Sequence, residues 1–95
     1  MHYLYLLSLN NGNLYKGTTN NLKRRWEEHR RGKVISTENK RPLKLIYYEC
    51  YLLKSDASRR ERFLKTTEGR RLLKCQLKDV LSKGSSGHST GRPIG

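Results

Sequence analysis

Five side chains of this sequence are of types that act on phosphate esters. Tyr5 and Tyr15 supply phenols, Arg25 a guanidinium, His29 an imidazole and Glu61 a carboxylate. Hydrolysis of a phosphodiester needs a nucleophilic water, positive charge for the pentavalent oxygens and stabilisation of the leaving 3′ oxygen. A divalent cation on one carboxylate meets the last two needs while keeping waters in its other positions. A guanidinium clamps a phosphate through two hydrogen bonds. Each residue also has an ordinary reading. Tyrosines form strands well and are often half-buried, and this chain has 6 of them. A lone helical His is commonly a polar boundary residue. Glu61 stands inside Arg59-Arg60-Glu61-Arg62 and balances its neighbours. On spacing alone, the solvated reading of Glu61 is the stronger one.

The elements that carry these residues follow from pattern. Tyr3 to Leu9 is rich in strand formers, Asn10-Asn11-Gly12-Asn13 tolerates positive φ, and Leu14 to Thr18 returns as a second strand. That hairpin holds both tyrosines. Asn20 or Asn21 then caps a helix on which Leu22, Trp26 and His29 fall at i, i+4 and i+7 and share a face, with Trp26 as core packing. Arg25 lies one turn before His29. Arg24 points about 100° away from it and pairs with Glu28 at i+4. Gly32 to Pro42 is a basic loop. Leu43 to Leu52 is the longest apolar run, with apolar residues on both alternating faces, as in a strand covered on both sides. Ser55 or Asp56 caps a helix to about Lys65, its inward face holding Ala57, Glu61 and Leu64. Thr66-Thr67-Glu68-Gly69 breaks it, and a further helix runs to about Leu81 with Leu72, Leu73, Cys75, Gln76 and Val80 inward. The order β-β-α-β-α-α predicts an α/β chain of the α+β type, a three-stranded, mostly antiparallel sheet flanked by helices. One domain over 1–81 is expected, followed by a flexible basic Gly/Ser-rich tail over 82–95, which has no hydrophobic period to offset its ordering entropy.

Composition narrows the partner. The 95 residues carry 21 Lys and Arg against 8 Asp and Glu, a formal charge of +13 and a pI near 10.2. That imbalance favours a polyanion, because each phosphate neutralised releases condensed counterions. Nucleic acid is the expected partner. Cys50 and Cys75 form no CxxC and have no His at ligand spacing, so a zinc site is not expected, and both read as free, buried thiols of a reducing cytosol. No apolar run approaches the roughly 20 residues of a membrane span. The N-terminus reads as the first strand and not as a signal peptide.

Taken in order, Tyr3-Leu4-Tyr5, Tyr15-Lys16-Gly17, Arg25-Trp26-x-x-His29 and Arg60-Glu61 resemble the GIY-YIG endonuclease superfamily, closest to its small, single-domain bacterial members. The resemblance runs from about Tyr3 to Leu81 and extends to Arg41-Pro42-Leu43-Lys44-Leu45-Ile46-Tyr47-Tyr48-Glu49. It implies the same fold and a metal-dependent DNA endonuclease using Mg²⁺ or Mn²⁺, in a bacterial cytoplasm near the nucleoid. It implies roles as well. Glu61 matches the metal-binding Glu, which reverses the odds on that residue. Tyr15 matches the general base or water-orienting tyrosine, Tyr5 orients the site beside it, Arg25 matches the catalytic arginine, and His29 shares protons with Tyr15 or the phosphate. Lys16, Arg24, Lys33, Ser36, Thr37, Lys40, Arg41 and Lys44 are the expected DNA contacts, with solvated charge as the ordinary reading of the basic residues and loop structure as that of Ser36 and Thr37. Two departures stand out: the first motif reads Tyr3-Leu4-Tyr5, and Lys16 occupies the apolar centre of the second, where it must lie at an edge, reach solvent or reach DNA. Two other readings stay open, a non-catalytic nucleic-acid-binding module on this scaffold and a component targeted by a partner protein. Substrate structure and oligomeric state are not legible.

Overall fold

A computed structural model describes residues 1–86, and in it the Asn-rich turn closes the expected hairpin. Gly12 takes φ 86°, the Leu9 N–H donates to the Asn13 carbonyl at 2.9 Å, and Asn11 Oδ1 accepts from the Asn13 N–H at 3.0 Å. The strands are β1 (His2–Ser8), β2 (Leu14–Thr19) and β3 (Lys44–Tyr51), in the spatial order β2-β1-β3 with both pairings antiparallel. The helices are α1 (Leu22–Arg30), α2 (Lys54–Leu64), α3 (Thr67–Gln76) and α4 (Lys78–Ser86), with a 3₁₀ turn over Glu38–Lys40. The expected antiparallel three-stranded sheet is present, with one more helix than the pattern suggested.

Strand alternation splits the core into two layers. Leu4 and Leu6 face Leu64, Leu73 and Leu77 under α2 to α4, while Tyr5 and Leu7 face Leu9, Leu22 and Trp26 under α1. The central strand is therefore buried over Leu4–Leu7. A bulge in the β1–β3 pairing, between Leu6 and Leu7, leaves Ile46 as the extra residue. Ile46 and Tyr47 both pack on the Leu4/Leu6 layer, and Leu45 turns to the α1 side. Strict alternation along Leu43 to Leu52 fails at that point.

Helix ends agree with expectation only in part. Asn21 caps α1, accepting from the Arg24 N–H at 3.1 Å. Neither Ser55 nor Asp56 caps α2. Leu53 holds the cap position without a side-chain bond, and Asp56 sits in the first turn, where a negative charge suits the helix dipole and pairs with Arg59 at 2.7 Å. Thr66 caps α3 by accepting from the Gly69 N–H at 3.0 Å. Gly69 is no breaker: it is buried inside α3, where any Cβ would collide with the Phe63 carbonyl. The last helix divides at Leu77. Buried Gly69, Leu73 and Leu77 recur every four residues, so Leu72, Cys75 and Gln76 fall off that stripe and are exposed, contrary to expectation. Cys50 is exposed too, facing the part of the sheet beside Tyr3 that α1 leaves open, so neither thiol is buried. Anchored by Val80 and Leu81, α4 runs to Ser86, beyond the expected boundary at Leu81, since extending an anchored helix costs little per residue. The remainder of the expected tail, 87–95, lies outside the described residues.

Candidate active site

Tyr5 pairs across the sheet with Gly17. A Cβ at Gly17 would stand 2.5 Å from the Tyr5 hydroxyl, so the missing side chain is the space into which the phenol extends. From there the Tyr5 hydroxyl meets His29 Nε2 at 2.9 Å, and His29 Nδ1 meets Thr37 Oγ1 at 2.9 Å. His29 and Thr37 are both 0% exposed. The neutral imidazole donates from one nitrogen and accepts at the other, so either polarity of this chain satisfies all three groups. Tyr15, two residues from Gly17 on the same face, brings its ring to 5.2 Å from His29 and 6.3 Å from Tyr5. Among the described residues no hydrogen bond to the Tyr15 hydroxyl occurs, which leaves that phenol available to water.

The electrostatics of this trio decide what it can do. Burial pushes Tyr5 up to about 12, with Arg25 pulling the other way and the charges of Tyr15 and Glu61 adding to the rise. Burial, and then the Arg25 charge, pushes His29 down to about 4. Both shifts oppose transfer of a proton from Tyr5 to His29, since burial disfavours the phenolate and the imidazolium alike. The pair therefore orients the phenol and does not ionise it.

Arg25 follows from the same helix. Glu28 accepts from Arg25 Nη1 at 2.9 Å and from Arg24 Nη1 at 3.1 Å, so it holds both arginines and not Arg24 alone. This pairing, more than the contact with Tyr5, keeps the Arg25 pKa above its usual value. Arg24, Arg25 and Lys54 line a cavity of about 380 Å³ whose other walls include Thr18, Asn20 and Ala57. Its lining brings α1 and α2 together with Thr18 and Thr19 at the end of β2 and His2 at the start of β1. Glu61 sits one helical turn after Ala57, its side chain 23% exposed and its Oε2 3.0 Å from Lys65 Nζ. α2 packs on the face opposite Tyr5, and the Glu61 charge is the smallest of the influences on the Tyr5 hydroxyl.

For a divalent cation the available donor set is small. Among the described residues no cluster of three His, Cys, Asp or Glu gathers, and both His29 nitrogens are engaged. Glu61 alone, with water and phosphate oxygens, fits a hard cation that keeps most of its waters. Lys65 would have to release the carboxylate.

The remaining expected contacts divide. Lys16 pairs with Leu6 and points away from Tyr5 and Tyr15 into the α2–α3 side, where burial, Arg70 and Lys65 lower its pKa. Thr37 is no surface phosphate contact: its hydroxyl is buried against His29. The Arg41 guanidinium donates to the Glu38 carbonyl at 3.1 Å and the Arg30 carbonyl at 3.5 Å, so it braces the loop, although the residue stays exposed. Lys33, Ser36, Lys40 and Lys44 are exposed, as a phosphate track requires. One cluster was not anticipated. Glu49 receives hydrogen bonds from Tyr47, Tyr51 and Arg60, and Arg60 also reaches Gln76 at 3.4 Å. It ties α2 to β3 one residue before Glu61, and its only trace in the sequence is the alternation Tyr47-x-Glu49-x-Tyr51.

Comparison with known proteins gives consistent results. The GIY-YIG catalytic domain matches residues 1–74. A UPF0213 protein of Bacillus licheniformis is 42% identical over 65 residues, covering 67% of this chain and 67% of its own length. A UPF0213 protein of Staphylococcus haemolyticus is 38% identical over 74 residues, covering 77% of this chain and 90% of its own. The NMR solution structure of a UPF0213 protein from Bacillus halodurans superposes with a TM-score of 0.55 at 28% identity, covering 95% of this chain and 98% of that one. Among the described residues no helix is long and apolar enough to cross a membrane. Matched over residues 1–74, this chain belongs to the GIY-YIG nuclease family.

Proposed function

We propose that this protein is a metal-dependent endonuclease that hydrolyses phosphodiester bonds in DNA. The observation that carries the reading is the junction of two features: the Tyr5–His29–Thr37 chain with Tyr15 beside it, and the cavity lined by Arg24, Arg25 and Lys54. Arg25, with Arg24 and Lys54 behind it, receives the scissile phosphate. His29 stays neutral and fixes the Tyr5 phenol, which donates toward the attacked phosphate or its water. Tyr15, with its hydroxyl unengaged, orients the attacking water. Glu61 holds Mg²⁺ or Mn²⁺, which when bound supplies positive charge to the pentavalent oxygens and the leaving 3′ oxygen. Lys33, Lys40 and Lys44 carry the flanking backbone, a sequence-independent contribution. We place this activity in a bacterial cytoplasm, with a partner protein for targeting.

Cleavage of a panel of duplex, branched, damaged and single-stranded DNA, and of RNA, with Mg²⁺, Mn²⁺ or EDTA tests the reading. Glu61→Gln loses cleavage and keeps or gains affinity, because a negative charge leaves a basic groove. Arg25→Ala loses both rate and affinity, since a guanidinium meets phosphate in the ground state as well as the transition state. If the wild type cleaves nothing in the presence of metal, the scaffold is a binding module. If Glu61→Gln cleaves at full rate, Glu61 is not the metal ligand.

A further inference from the structure

The two faces of the sheet are covered unequally. Three helices pack on the Leu4/Leu6 side, whereas α1, nine residues long, packs on the Tyr5/Leu7 side. α1 covers the end of that face holding Tyr5 and leaves the end near Tyr3 open. There Tyr48 remains 37% exposed, and its ring meets Tyr3 edge-on at 6.3 Å and 66°. The two rings form a fixed corner. Trp26 packs on the Tyr5/Leu7/Leu9 cluster and also lines this space, and Leu22 and Leu45 complete the apolar lining. The result is a cavity of about 420 Å³ rimmed by Asn20, Asn21 and Lys23.

Asn20 lines this aromatic cavity and also the cavity of Arg24, Arg25 and Lys54. An apolar, ring-walled space and a basic one large enough for a phosphate thus meet at Asn20. That adjacency matches the anatomy of a nucleotide, in which a flat aromatic base and an anionic phosphate are joined by one sugar. A purely apolar partner would use the first space and leave the second unexplained. We propose that the Tyr3–Trp26–Tyr48 cavity receives one unpaired base of the nucleic-acid substrate while a neighbouring phosphate occupies the Arg24–Arg25–Lys54 cavity. A base inside a continuous duplex is stacked on both faces and cannot enter, so the cavity selects substrates with an extrahelical or single-stranded nucleotide beside the reacting phosphate. Stacking is tolerant of base identity because every base has a π face. The exposed Asn20 amide and the Lys23 ammonium then meet the edge of the base and the next phosphate.

This inference rests on the nuclease reading for its substrate, but its test does not require cleavage. The chain has a single tryptophan, Trp26, so intrinsic emission reports the cavity directly. Binding of the full chain in EDTA is measured with a short, fully paired duplex and with the same duplex carrying one bulged 2-aminopurine nucleotide. The bulged duplex is expected to bind several-fold tighter, to change Trp26 emission and to quench the 2-aminopurine. Tyr48→Ala is expected to remove that advantage, weakening the bulged complex several-fold, the low end for one lost stacking contact, and to leave the paired duplex within about twofold. Tyr48→Phe, which keeps the ring, retains the preference. Equal affinity for the two duplexes, an equal loss on both in Tyr48→Ala, or a Trp26 response that the paired duplex reproduces would overturn the proposal. Far-ultraviolet circular dichroism of Tyr48→Ala separates misfolding from lost stacking. A bulge preference in EDTA without cleavage under any metal would remove the nuclease reading and leave the base site standing.

Discussion

Protonation of His29 is the perturbation whose consequence can be worked furthest. Its pKa falls from the usual 6.5 to about 4 in the folded protein, chiefly through burial. Between these values the unfolded chain binds a proton that the folded chain does not. Stability therefore rises with pH across this window and falls as the solution is acidified. The contribution, about 3 kcal/mol in all, is complete above pH 6.5, declines by about 1.4 kcal/mol per unit below it and is lost near pH 4. For a domain whose total stability is of the order of 5–15 kcal/mol, that is a large share. The lowered carboxylates Glu28 and Glu49 act in a separate window. Their pKa values lie below 4.5, so the stability they give is present above that pH and lost only as the pH falls through their folded values. Urea unfolding at half-unit steps from pH 7.5 to 4.5 measures the slope, with a constant denaturant dependence as the check that the unfolded state is unchanged. His29→Gln keeps a hydrogen-bonding side chain but cannot titrate, so its profile is expected to be flat between pH 6.5 and 5, whatever its absolute stability. Parallel slopes in the wild type and His29→Gln would refute the assignment of a neutral, buried imidazole. The Tyr5 phenol would then lose the neutral partner that fixes it.

Other consequences can be measured with single variants. Gly17→Ala places a methyl against the Tyr5 hydroxyl, and is expected to cost about 1–3 kcal/mol by overpacking and to lower the cleavage rate by displacing the phenol from His29. Unchanged rate with unchanged stability would show that Tyr5 moves aside freely. Replacing Lys33, Lys40 and Lys44 together with Ala is expected to reduce the slope of log affinity against log salt by at most about 3, since each contributes at most one phosphate contact. An unchanged slope would place the nucleic-acid track elsewhere. Glu49→Gln leaves the half-buried Arg60 with a neutral partner and two tyrosine hydroxyls. The expected loss is about 2 kcal/mol, discounted from that of a fully buried pair because both side chains keep some solvent contact. A Glu49→Gln/Arg60→Gln double variant no less stable than Glu49→Gln alone would locate that loss in the stranded guanidinium.

The hairpin and the start of α1 were legible because local chemistry dictates them: a positive-φ turn between two strand-forming runs, and an Asn able to accept from a first-turn amide. The convergence of Tyr5, Tyr15 and His29 was legible through two periodicities, two residues per strand repeat and 3.6 per helical turn, which place them on facing surfaces. Residues joined only by tertiary approach were not. Thr37 reaches His29 because the loop folds back beneath α1, and nothing in Ser36-Thr37 distinguishes a buried hydroxyl from a phosphate contact. Glu28 at i+3 and i+4 allowed two partners, and the pattern alone could not say that it takes both. The α2 cap and the buried cysteines failed for a common reason. Propensity favours an acceptor at a helix start and an apolar site for a thiol, but packing of the sheet and of the α2–α3 corner fixed the boundaries first. Gly69 looked like a breaker on propensity and is instead the point of closest approach between two helices.

Lys16 acquires a second meaning from its place on β2. As the outer strand, β2 presents one row of unpaired backbone groups, which is a template for adding a strand from a second molecule. The charge at position 16 stands half-buried on the α2–α3 side of this strand, with Lys65 and Arg70 nearby. Two copies brought edge to edge would oppose these cations in a setting too dry to screen them, whereas a polyanion approaching the same edge meets no such repulsion. The charged residue at the apolar centre of the motif thus disfavours strand addition at an uncovered edge without opposing a negatively charged ligand there.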